Sequence, residues 1–575
     1  MHPSDYAIIA TYLAVVLVLG RRARGATDSE EAFFLAGRKL GILRQSFFNF
    51  GQSTDANTAV STVSFVYGEG ASGAWLQLQL IFLNPYYWFM NVWFRRTRLV
   101  TTADLFEERL QSSRLARFYA AFQIGVAVVG IAFANFVSYK VAAALMQGGP
   151  MVAPWVFYSG FVAIVGYYVV MGGLEATVLN QMFQGVLVLV FSVILLPFGW
   201  RELGGEGLHN RLPQRMFDII AAGDGGEFTV WAVLAVLLVS IIQANGNIAN
   251  MGLAGSARGE FAARLGGVTG TYAKRIMIAL WVFVGLIAAG LCRGDASLAD
   301  PDLAWGALSR RLLPPGFLGF MFIGLVAANM ASIATKTMAI SALFVRNLYR
   351  PAGGARDERR EVVVAQLAGV AALAASVMTA LAMNEAASVT KFILTINLPF
   401  GAAILLMFFW RRLTTAAVWW GVLSTGVLIL VMPFGARLAG YDQFSAEGWV
   451  LARAGLPLAG YGPGGHLATQ FLFDALFPFA VMIAVSLVTK PPAQERVAGF
   501  FGKMKTPVGA TRQLDEAALE ETRRNPGRFD GTKLFPGSSW DFTKWDRTDA
   551  IGFAACCAAS VAILGVIWLV LNWLR

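Results

Sequence analysis

Apolar stretches recur along this chain at lengths that suit a bilayer, and that recurrence limits the fold more than any other feature. YAIIATYLAVVLVLG (6–20) is the first, and VFVGLIAAGLC (282–292) and AAILLMFFW (402–410) are later examples. Only 14% of the 575 residues are charged, against roughly 25% in a soluble protein. A helix of about 20 apolar residues covers the hydrocarbon core. Apolar runs divided by polar or Gly/Pro punctuation predict about fourteen spans, at 5–20, 43–67, 72–94, 116–145, 152–170, 176–199, 229–249, 266–291, 316–343, 361–382, 388–410, 415–432, 468–489 and 549–573. The expected fold class is an all-α polytopic membrane protein embedded in the lipid bilayer.

The net charge of +11 is a topology signal. With the N-terminus outside, the inward loops hold Arg21, Arg22, Arg24, Arg38, Lys39 and Arg44, then Arg95, Arg96, Arg98, Arg109, Arg114 and Arg117, and later Arg346, Arg350, Arg411 and Arg412. That bias follows the positive-inside rule, places both termini outside a multi-pass protein of the plasma membrane, and argues against a nucleic-acid partner. Three basic residues follow the first apolar run and none precedes it, which suits a first span better than a cleaved signal peptide. Cys292, Cys556 and Cys557 make no disulfide framework. His2, His209 and His466 all lie in loops, so no histidine–cysteine metal cluster is expected, and with it no enzyme and no cofactor.

The chain divides into an N-terminal helix and inward loop (1–42), a core (43–410), two accessory helices (411–489), a polar linker (490–548) and a last span (549–575). Within the linker, LDEAALEETRR is expected to form a short surface helix.

One span is wrong for a membrane. GQSTDANTAVST (51–62) puts eight polar side chains, Asp55 among them, where leucine and valine belong. A carboxylate at the bilayer centre costs about 2.5–3.5 kcal/mol on insertion scales, and such residues face a cavity or a partner. QANGNIANMG (243–252) is polar in the same way at the end of the seventh span.

Motifs in the intervening loops and spans resemble the sodium:solute symporter family. They are FFLAGRKLG (33–41), TTADLFEERL (101–110), GGLEATVLNQMFQG (172–185) and the long DPDLAWGALSRRLLPPGFLGFMFIGLVAANMASIATKTMAISALFVRNLYR (300–350). The resemblance covers roughly residues 1–490. It implies the leucine-transporter-type fold, a 5+5 inverted repeat over spans 2–6 and 7–11, with helices broken at mid-depth to bind solute and ion. A secondary transporter of a small organic solute working by alternating access is therefore expected, with Na+ as the coupling ion.

The resemblance also implies an ion site. It would use carbonyls of Asn57 and Val60 on the second span, the carbonyl of Ala328 on the ninth, and side chains at positions 331 and 332. Ala331 has lost the hydroxyl the family carries there, while Ser332 keeps it. Gln181 follows Asn180 where the family has an acid thought to help sodium leave. Lys336 stands one turn beyond Ser332 and leans back over it. An Asp55–Lys336 ion pair would satisfy both charges. Lys336 has three open readings: a stem bent to the interface, an internal cation replacing sodium, and a solute-binding group. As the internal cation it would make transport ion-independent or proton-linked. Solute contacts are expected from Ser61, Ser64, Gln243, Asn245 and Asn247. Lys140, Lys391 and Glu385 suit the outer interface. The alternative function is a transporter-like sensor acting through 490–548.

Overall fold

Polar side chains cap the start of several helices in this chain, Asp55, Ser112, Thr229, Asp357 and Thr414 among them. The computed structural model describes residues 2–575 apart from 23–28, 147–151, 205–206, 221–227, 293–300, 353–356, 384–394, 439–445, 454 and 456–461. Its principal helices are α1 (Pro3–Arg22), α2 (Ile42–Ser53), α3 (Ala56–Glu69), α4 (Leu83–Thr97), α5 (Ser113–Leu145), α6 (Pro154–Leu203), α7 (Val230–Asn245), α8 (Asn250–Gly255) and α9 (Glu260–Cys292). The second half continues with α10 (Phe317–Leu343), α11 (Glu358–Leu381), α12 (Leu398–Phe409), α13 (Thr415–Gly426), α14 (Pro463–Val488), α15 (Gln494–Lys505), α16 (Arg512–Arg524) and α17 (Arg547–Leu574). No β-strand occurs among the described residues, only isolated bridges.

Eight described helices are long and apolar enough to cross a membrane unaided, and four apolar helices are shorter. The fifth and sixth expected spans are the two parts of α6, which meet at Gly173, a break in the helix whose φ of 56° and ψ of −143° suit glycine alone. A Cβ there would also strike the Phe33 carbonyl oxygen at 2.9 Å. Lys391 and Glu385 lie outside the described residues.

Two groups of helices surround the broken spans. α2, α3 and α4 pack on α9, while α5, α6, α10 and α11 pack on one another. The first contact depends on small residues, because Gly266 and Gly270 let α9 lie directly on α2. A Cβ at Gly270 would come 2.3 Å from the Ser46 carbonyl oxygen. Gly270→Val is expected to cost about 1–3 kcal/mol through overpacking. Gly125→Ala, where nothing lies within 4 Å of the new carbon, is the control. Equal thermal midpoints for the two variants would contradict this packing.

The family-like motifs meet at one end of the bundle. Thr101 caps its helix through a reciprocal box with Asp104. Arg346 then bridges Asp104 at 2.8 Å and Glu30 at 2.7 Å, and Arg38 donates to the backbone carbonyls of Arg98 and Gly255.

The 490–548 segment is fastened to this same end. Asp515 takes Arg98 at 2.7 Å, Lys503 takes Glu108 at 2.8 Å, and Asp541 takes both Arg411 and Lys505. The expected surface helix is α16. Partial burial pushes the Asp515 carboxyl up, but the Arg98 guanidinium and the Gly509 amide outweigh it and hold it below the usual 3.8. A depressed carboxyl adds stability above its unfolded pKa and loses it as pH falls through the folded value. Hydrogen exchange in α16 should therefore stay protected down to pH 3.8 and rise only below it. Release at pH values above that would contradict the Arg98 contact.

Candidate functional site

The polar stretch of the second span is a helix break. α2 ends at Ser53, Thr54 is extended with φ −110° and ψ 112°, and Asp55 caps α3. Its Oδ1 accepts from the Thr58 amide at 2.9 Å and from the Thr58 hydroxyl at 2.7 Å. Asp is a preferred N-cap because its carboxylate satisfies amides that helical geometry leaves free. The costly mid-membrane carboxylate is therefore what starts the second half-helix.

Two residues of other helices hold the break open. Asn329, fully buried on α10, accepts from the Ala56 amide at 3.0 Å. Its own amide group donates to the Ala134 carbonyl at 3.0 Å and to the Ser138 hydroxyl. Lys274, buried on α9, donates its ammonium to the Ser53 carbonyl at the C-terminal end of α2. That carbonyl end carries the negative pole of the helix dipole. Asp55 also interacts electrostatically with both Lys274 and Lys336.

The seventh span breaks in a matching way between α7 and α8. Asn250 donates to the carbonyls of Ala244 and Asn245, and the Asn247 oxygen accepts from the Ala249 amide at 2.9 Å. Tyr119 and Gln123 both donate to the Gly246 carbonyl. Both breaks are thus held by side chains from neighbouring helices, as irregular backbone at membrane depth requires.

These positions correct several expectations. Asn57 and Val60 lie inside α3, two and five residues past Asp55, where helical geometry engages backbone carbonyls within the helix. The freed carbonyl is that of Ser53, and Lys274 covers it. Asp55 and Lys336 form no ion pair within 4.0 Å, because the Asp55 carboxylate turns onto Thr58 as a cap. Asn245 accepts from Tyr86 at 2.7 Å and Asn247 accepts from the Ala249 amide just before α8, so both serve the break itself. Ser61 donates back to Thr58. The Lys140 ammonium lies over the Phe136 ring, 5.3 Å from its centre. Ala328, Ala331 and Ser332 are all buried on α10.

The implied ion site mixes oxygen atoms with nitrogen donors. A hard cation needs oxygen ligands. Here the Gln181 amide nitrogen points at α10, donating to the Ala331 carbonyl at 2.9 Å and to the Thr335 hydroxyl at 2.8 Å. Ala331 offers no hydroxyl, and the Ser53 carbonyl carries an ammonium. The hydroxyls of Thr54 and Ser332 and the side-chain Oδ1 of Asn57 are buried with no hydrogen-bond partner among the described residues. Lys274 and Asn329 are residues at the break that motif reading misses, and the available signal was simple: each is polar in the middle of an apolar span.

Two spans unwound at mid-depth, with polar groups of several helices gathered there, define a membrane carrier of solutes. The model of the sodium:solute symporter family matches residues 33–425, well over half the chain, and the chain belongs to that family. The rabbit (Oryctolagus cuniculus) sodium/myo-inositol cotransporter 2 is 22% identical over 558 residues, covering 87% of this chain and 78% of the relative. The sodium/proline symporter of Staphylococcus aureus is 22% identical over 463 residues, covering 74% and 85%. A solved structure of a Na+-coupled sialic acid symporter in a substrate-bound outward-open state superposes with a TM-score of 0.68, at 15% identity, covering 86% of this chain and 99% of that one. The shared fold is the leucine-transporter type that the motifs imply.

Proposed function

We propose that this chain is a secondary transporter that moves a small organic solute across the plasma membrane by alternating access, with a built-in ammonium where its relatives couple to sodium. The observation that carries this reading is the Lys274 ammonium on the Ser53 carbonyl at the break. An ammonium there neutralises Asp55 and the α2 carbonyl end throughout the cycle, as a bound cation would during part of it. Family membership supports transport, and the two breaks at mid-depth support a central solute site between α2–α3, α5, α7–α8 and α10.

Docking of 490–548 onto the bundle through Arg98, Glu108 and Arg411 favours a brace over a signalling arm. Carrier action is tested by counterflow in proteoliposomes with radiolabelled sugars, amino acids and monocarboxylates. The expected result is exchange of one class at equal rates in sodium and choline media. Exchange that requires sodium would overturn the built-in cation, and binding without exchange would overturn transport.

A further inference from the structure

Charge around the break does not balance. Asp55 is the single carboxylate among the described residues that acts on Lys336, and it acts on Lys274 as well. Lys274 has its position fixed by the Ser53 carbonyl. Lys336 forms no hydrogen bond or ion pair among the described residues, yet it keeps some accessible surface in the middle of a buried helix. Arg275, the next residue on α9, is buried toward Tyr87 and Tyr272 and adds more positive charge. Two ammonium groups therefore share one carboxylate in a region where charges are expected to be paired.

Geometry gives the spare ammonium a place to work. Its Nζ lies against Gly130 of α5, 3.7 Å from where a side chain would begin, so the missing side chain makes room for the lysine stem. On the same helix, Thr335, Met338 and Ala339 line a cavity of about 30 Å³ with Phe48, Leu174 and Ile248. That volume holds a water molecule, and Lys336, Ser332 and Thr54 stand outside its lining. The Ser332 hydroxyl, one turn back and 1% exposed, and the Thr54 hydroxyl, also 1% exposed, are unpartnered donors at the same depth.

We infer that Lys336 is the anion-binding residue of the solute site, and that the solute carries a single carboxylate. Lys274 and Asp55 balance each other, and the solute carboxylate balances Lys336. The hydroxyls of Ser332 and Thr54 are placed to donate to the same oxygens. This rests on the transporter reading above and names its substrate class. A neutral solute would leave the Lys336 charge uncompensated in both loaded and empty carrier.

The test uses the purified full chain and matched probes: potassium propionate, lactate and benzoate against propionamide, lactamide and benzamide. Thermal midpoint is recorded across a concentration series, since a ligand of the folded state raises it. The expected result is a saturable rise of a few degrees with at least one carboxylate and none with its amide. The rise should disappear in Lys336→Met, persist weakened in Lys336→Arg, and fall at least tenfold in apparent affinity in Ser332→Ala. Lys336→Met without ligand should melt no lower than the native chain, because it removes an unpaired buried charge. A rise that survives in Lys336→Met, a rise with the amides, or no rise with any carboxylate would overturn the assignment. Lys336-dependent binding without counterflow of the same carboxylate would instead overturn transport and leave the anion site standing.

Discussion

Lys274→Met should give this carrier a sodium response that the native chain lacks. The substitution keeps the length of the side chain and removes its charge. The Ser53 carbonyl then loses its Lys274 donor, and of the two ammonium groups that its charge reaches Asp55 keeps only Lys336. Both changes favour a cation at the break. Magnitudes explain why the native chain should not respond. Two unit charges 4 Å apart repel by about 4 kcal/mol at an effective dielectric of 20, and each 1.4 kcal/mol is tenfold in affinity. Sodium beside Lys274 would thus bind roughly a thousandfold more weakly than beside a methionine. At a hundredfold excess over its Kd, sodium should stabilise the variant by about 2.7 kcal/mol. Thermal midpoints in sodium, potassium and choline chloride at equal ionic strength check this. Lys274→Arg, which keeps the charge, should remain indifferent to the ion.

Asn329→Leu should be the most damaging neutral substitution at the site. Asn329 accepts from the Ala56 amide and donates to Ala134 and Ser138, tying α3, α5 and α10 together at one point. Leucine fills similar volume but leaves the Ala56 amide with no acceptor at the first position of α3. An orphaned buried donor costs about 1–3 kcal/mol. Asn329→Asp keeps the acceptor and should retain more of the stability than leucine does. Midpoints that place the aspartate variant below the leucine variant would contradict the bond to Ala56.

The fold was more legible than the site because the two depend on different signals. Apolar length and loop charge mark most spans, and the motifs at 33–41, 101–110 and 300–350 carry the topology. Those motif residues prove to be mostly structural: Arg38, Asp104 and Arg346 tie loops together at one end of the bundle. The break was legible as polarity, but its register was not. Asp55 followed by Thr58 is a capping signal, whereas transferring ligand positions by motif placed the carbonyls at Asn57 and Val60, inside α3. Lys274 lay in plain view within TYAKRIM (271–277), an ionisable residue in an apolar span. What the local sequence does not contain is which helix it faces. That follows from the glycines of α9 packing against α2, a long-range contact. Lys336 was legible as an oddity, while its lack of a partner required the Asp55 carboxylate to be seen folded onto Thr58.

Direct binding of radioactive sodium to the purified native chain tests the central claim most simply. The account predicts no saturable sodium binding, with Lys274 on the Ser53 carbonyl and the Gln181 amide on the Ala331 carbonyl. Saturable binding by the native protein that is lost in Ser332→Ala would contradict it, and would place a working sodium site between the broken span and α10.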